Sequence, residues 1–98
     1  MYKKDQYVIV RTQSAGVFAG EFESRMAREV VLKNARRLWY WSGASSLSEM
    51  AMKGTAKPNE CKFPCAVISV LLFEAIEILE TTEEARKSIE SVPVWKQH

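Results

Sequence analysis

Ninety-eight residues, 47% hydrophobic and 27% charged with few glycines and prolines, suffice for one domain (1–98) with a modest core, and they exclude intrinsic disorder. A formal net charge of +2 is too small to argue by itself for a phosphate-binding basic domain. The N-terminal apolar run is too short for a signal-peptide core, and no stretch approaches the roughly 18 apolar residues of a membrane span, so the expectation is a cytoplasmic protein without a membrane partner.

Residues Gln6–Thr12 (QYVIVRT) are β-branched and aromatic, which predicts a strand that is largely covered. Gln13–Gly16 (QSAG) is a turn of small polar residues, its glycine free to adopt positive φ. Val17–Glu23 is the returning strand, and Gly20 inside it predicts a bulge, a bend or a close backbone approach. SRMAR reads as a polar connection and EVVLKN as a third strand, which NARRLWYWSG continues or follows after a bend.

At SLSEMAMKG the period changes. Ser46 and Glu49 have capping-box spacing, Leu47 and Met50 share a face, and Gly54 is a natural stop, so a two-turn helix is expected. Prolines 58 and 64 mark the following loop. The segment 67–80 is ambiguous: strand, or two strands bent near Phe73–Glu74, is chosen over one continuous helix through Ile89. Thr81 and Glu84 repeat the capping-box spacing before an amphipathic helix that buries Ala85 and Ile89. In the tail VPVWKQH, Trp95 should dock on the domain or on another subunit.

These elements make a mainly β domain with short helices (β-rich α+β), arranged as a small, strongly bent antiparallel barrel. The stretch VIVRTQSAGVFAGEFESRMAREVVLKN resembles the first three strands of SH3-like and Sm-like barrels. It lacks the Asp/Asn pair of Sm-like RNA sites, reading SRMARE there, so the likeness implies fold and little about RNA. SAGVFAG, NARRLWYWSGASSLSEMA and EAIEILETTEEA resemble a family of small, functionally uncharacterised proteins of tailed phages and prophages. That resemblance implies an accessory role in infection or lysogeny, with a host or phage protein among the conceivable partners.

Cys61 and Cys65 in CKFPC read as reduced thiols near a surface loop, since His98 is the one histidine and no metal site is expected. Without an internal histidine a Ser-His or Cys-His nucleophile is excluded within one chain. Strand glutamates 21, 23, 29, 74 and 77 usually face solvent, so no enzyme and no cofactor is expected.

The binding chemistry concentrates in NARRLWYWSG. On a strand Arg37, Trp39 and Trp41 alternate with Arg36, Leu38 and Tyr40. The tryptophans can be core, a subunit interface, or a platform on which a base stacks while arginine grips phosphate. The turns at Ser14–Gly16 and at Ser45–Ser46 offer backbone amides to an anion, the second at a helix start. The candidate ligand residues are thus Arg36, Arg37, Trp39, Trp41, Ser14, Gly16, Ser45 and Ser46. The expected function is non-catalytic binding of a nucleotide or nucleic acid. The alternative is an interaction module that forms a homo-oligomer through its Trp-rich strand.

Overall fold

Each of β1 (Tyr7–Thr12), β2 (Val17–Met26), β3 (Glu29–Arg37), β4 (Val67–Leu72) and β5 (Ala75–Glu80) is antiparallel to its neighbours in one sheet of order β4-β3-β2-β1-β5. Two short helices, α1 (Leu47–Lys53) and α2 (Glu83–Ser91), and a 3-10 turn at Pro58–Glu60 complete the chain. The computed structural model describes residues 2–96.

The central strand β1 explains the two-layered core. Val8 and Val10 point into a cluster built from the strands, with Phe18, Phe22, Val30, Leu32 and Leu72, against which Tyr2 packs from outside the sheet. Tyr7 and Ile9 point the other way, into a second cluster closed by Met50 and Ala51 of α1, Ile89 of α2, Leu38 and Phe63. A strand buried on both faces needs apolar residues at successive positions, which is what YVIV supplies.

The connection between β4 and β5 forces curvature. They lie at opposite edges, yet only Phe73 and Glu74 join them. Three Cα steps reach about 11 Å at most, whereas the edges of a flat five-stranded sheet stand about 19 Å apart. The sheet therefore curls around its inner cluster. Among the described residues no β4–β5 ladder forms, so the expected barrel is a curled sheet that is not closed.

At Gly20 strands β2 and β3 come unusually close. The β2–β3 register shifts between Ala19 and Glu21, and a Cβ at Gly20 would lie 3.0 Å from both Ala35 Cα and the Lys33 carbonyl oxygen. The expected close approach is therefore found at Gly20, while the bulge lies opposite it on β3, where Asn34 (φ 50°) and Ala35 together face Gly20.

Several boundaries move. SRMAR is no loose connection: β2 runs to Met26, and the hairpin turns at Ala27, whose φ is 54°. Cross-strand pairing down to Met26–Glu29 outweighs the polarity of the segment. The segment 67–80 forms two strands with Glu74 at φ 54° between them. The cap of α2 is Thr82, one residue later than the spacing predicts. Its Oγ1 accepts from Ala85 N–H at 3.0 Å and donates to the Met52 carbonyl at 2.6 Å, so one hydroxyl starts α2 and satisfies the end of α1. Thr81 instead donates to the Tyr7 carbonyl. Ala85 and Ile89 are buried as read.

Gly20→Ala should lower unfolding stability by about 1–3 kcal/mol, because neither neighbour of the new methyl is a flexible side-chain end. Urea denaturation followed by circular dichroism measures this. A loss below about 0.5 kcal/mol, the size of an ordinary surface substitution, would mean the bulge relaxes freely.

Candidate ligand-binding surface

Strand β3 ends at Arg37, and the chain then runs irregularly, with one isolated bridge from Tyr40 to Lys62. Trp39 and Trp41 therefore lie beyond the end of β3. Leu38 sets the orientation: its amide donates to the Val17 carbonyl, and its side chain enters the cluster beneath the helices. Alternation about that anchor sends Arg36 inward and Arg37 and Trp39 outward.

Arg36 is 6% exposed. Nε donates to the Pro64 carbonyl (3.1 Å), Nη1 to Ile89 (3.0 Å) and Val92 (2.8 Å), and Nη2 to Phe63 (2.7 Å) and Pro93 (3.5 Å). Its guanidinium also lies 5.5 Å from the Phe63 ring centre. Ile89 and Val92 close α2, where the helix dipole favours a cation. Burial draws the Arg36 pKa below its ordinary value. The expectation that Arg36 faces a ligand is therefore corrected: its donors are spent on backbone carbonyls inside the fold.

The outward residues meet others from distant parts of the chain. Ser14, Gly16, Arg37, Trp39 and Trp41 line one shallow concavity of about 360 Å³. Trp39 is 57% exposed and Tyr40 51%, while Trp41 is half-buried against the helix-side core. The Arg37 guanidinium stacks 4.6 Å from the Phe18 ring centre. Lys62 Nζ stands 5.6 Å from the Trp39 ring and 5.7 Å from those of Tyr40 and Trp95, and the Trp39 and Trp95 rings are 4.8 Å apart. Trp95 docks on its own chain: its amide donates to the Phe63 carbonyl. Lys62 was missed by sequence reading. It lies in a loop without periodicity, and only the Tyr40–Lys62 bridge brings it to the aromatics.

Ser45 and Ser46 stand apart from that concavity. Ser46 Oγ caps α1 by accepting from Glu49 N–H. The Glu49 carboxylate does not return to Ser46, as a capping box would have it. It accepts from Ser45 N–H (2.6 Å) and Ser45 Oγ (3.0 Å), so the anion seat at this helix start holds the chain's own carboxylate. At the first turn, the Ala15 amide donates to Thr12 Oγ1, which leaves one amide fewer for a ligand.

Cys61 is buried rather than at the surface, with Sγ 3.5–3.6 Å from Ser42 O, Lys57 O and Thr55 Oγ1, because Pro58–Glu60 turns it inward. Cys65 is exposed and both thiols are free. Among the described residues no three His, Cys, Asp or Glu side chains converge on a metal position, and His98 lies outside them. Glu21, Glu23 and Glu77 each face a cation, Arg86, Lys33 and Arg11 respectively.

Two outcomes follow from this geometry. Arg36→Ala should destabilise the domain by about 3 kcal/mol or more, since it strands several buried carbonyls, whereas Arg37→Ala should stay within about 1 kcal/mol. Chemical denaturation of both variants checks the contrast, and equal losses would sink it. The Ser45 donors hold the Glu49 carboxyl below its ordinary 4.5. A lowered folded-state value contributes stability above the ordinary value and loses it as pH falls through the folded one. Melting temperature against pH should therefore place Glu49→Gln below wild type at neutral pH, with the gap narrowing below pH 4.5. A constant gap would show that the carboxylate charge is irrelevant.

No helix among the described residues is long and apolar enough to cross a membrane. No curated protein and no solved structure matches the chain. Residues 5–89 match DUF6948, a domain of unknown function, and the chain belongs to that family.

Proposed function

We propose that this chain is a non-catalytic binding protein that takes a nucleotide or a short single-stranded nucleic acid on the surface around Trp39. The observation that carries the reading is the half-exposed Trp39 ring, which shares a concavity with Arg37 and lies 5.6 Å from the Lys62 ammonium. A base stacks on an indole whatever its identity, for about 1–3 kcal/mol, and two cations beside the ring suit the attached phosphates. The curled order β4-β3-β2-β1-β5 supports counting the fold among small SH3-like barrels left open. The resemblance to phage proteins supplies the setting, an accessory role in the cytoplasm of an infected cell.

Titration of intrinsic tryptophan fluorescence with oligothymidylate and with free nucleotides tests the proposal. Trp39→Ala should weaken binding by about 5- to 150-fold, the equivalent of one lost stack. Arg37→Ala and Lys62→Ala should each reduce the slope of log affinity against log salt by about 1. Binding that is absent at low salt, or indifferent to Trp39→Ala, refutes the proposal.

A further inference from the structure

The two open edges of the sheet differ in kind. On β5, Glu77 is bridged to Arg11 at 2.7 Å and Glu80 ends the strand, so charge guards that edge. On β4 nothing does. VISVLL contains no charge, no proline and no bulge, and no charged residue occurs anywhere between Lys62 and Glu74. Unprotected, straight, apolar edges are what folded proteins ordinarily avoid, because such edges template pairing with another strand.

The side chains are as open as the backbone. Of β4 only Leu72 is buried; Ile68 is 87% exposed, and Val67 and Leu71 are 45% and 46% exposed. Phe73, at 61%, continues the patch and lines a concavity of about 620 Å³ with Met26. Together these residues offer on the order of 500 Å² of apolar surface per molecule, so two facing copies with their backbones approach the roughly 1,200 Å² of a small specific interface.

We infer that β4 is a dimerisation strand, which pairs antiparallel with β4 of a second copy about a two-fold axis. Symmetry requires opposed residues to have the same parity, so the pairing is centred on Ser69 or Val70. Centred on Val70, it sets Val67 against Phe73, so that exposed side chains from the two ends of the patch meet, and it places Ile68 opposite the inward-facing Leu72. No like charges meet in either register. A foreign strand adding along Val67–Leu72 would find no charge on β4 to fix its register, the charges of Arg28, Glu29 and Glu74 lying beyond the strand's end around the Phe73 concavity. Self-pairing needs none, because the two-fold axis fixes the partner. Each copy has one unguarded edge, so assembly stops at two.

The test is sedimentation equilibrium of the full chain from about 1 to 200 μM, a range over which a concentration-dependent dimer is visible. Wild type should reach the dimer mass, and β4 amides should exchange more slowly with deuterium as concentration rises. Ile68→Lys, at a site too exposed to hold the core, should be monomeric throughout, with a melting temperature that does not change with concentration and equals that of wild type at the dilute, monomeric end of the range. Ile76→Lys on the charged edge should dimerise like wild type. A wild type that stays monomeric, a mass that climbs beyond two copies, an Ile68→Lys protein that still dimerises, or an Ile76→Lys protein that does not would each overturn the inference.

Discussion

A buried guanidinium that, among the described residues, has no carboxylate partner is the constraint around which this domain is arranged. Taking a charge out of water costs several kcal/mol unless polar groups replace the lost hydration. Here the replacement is a ring of backbone carbonyls, from Phe63 and Pro64 before β4 and from Ile89, Val92 and Pro93 at and beyond the end of α2. The planar fork of arginine can serve several acceptors in different directions, which the compact ammonium of lysine cannot. One side chain of β3 therefore fixes the approach to β4, the end of α2 and the start of the tail. The approach to β4 is distant in sequence from the α2 end and the tail that follows it, and the isolated Phe63–Val94 bridge is a further tie between them.

The exposed aromatics follow from the same anchoring. Because Leu38 and Arg36 are held inward, Arg37 and Trp39 have no choice of face. Because Arg36 holds Phe63 and Pro64 in place, Lys62 is delivered to the Tyr40 backbone on the one side and its ammonium to three rings on the other. An ammonium near an aromatic face is worth about 0.5–1 kcal/mol at an exposed site. That is enough to order the cluster and too little to stop a ligand from rearranging it.

Periodicity made the sheet and both helices legible. YVIV announced a largely covered strand, the alternation in EAIEIL tipped an ambiguous segment toward strand, and Gly20 marked a close backbone approach, which is to Ala35 and Lys33. What was illegible depended on tertiary partners. Thr82 displaces Thr81 as the cap because the Met52 carbonyl is within its reach, a contact between two helices that no local spacing encodes. Arg36 and Arg37 are adjacent and chemically alike, and only the placement of Leu38 decides which is structural and which is exposed. Ser45 and Ser46 looked like an anion seat, yet the answering anion, Glu49, was present in the same helix. Lys62 carried no signal at all until the loop was folded.

The openness of β4 can be traced to the same buried arginine. Its bonds to Phe63 and Pro64 hold the chain at the level of the α2 terminus just before the strand begins, and β4 then departs along β3 with its first residues exposed. It rejoins the inner cluster at Val70 and Leu72, just before the two-residue link to β5 pulls the sheet round. Between those two fixed ends the strand contributes little to the core of a single copy. A run of Val, Ile and Leu that the monomer does not bury imposes a solubility cost, and the cost vanishes if the same residues are buried elsewhere. The composition of β4 is thus consistent with a requirement outside the monomer, while that of β5, with its glutamates, is consistent with an edge kept in water.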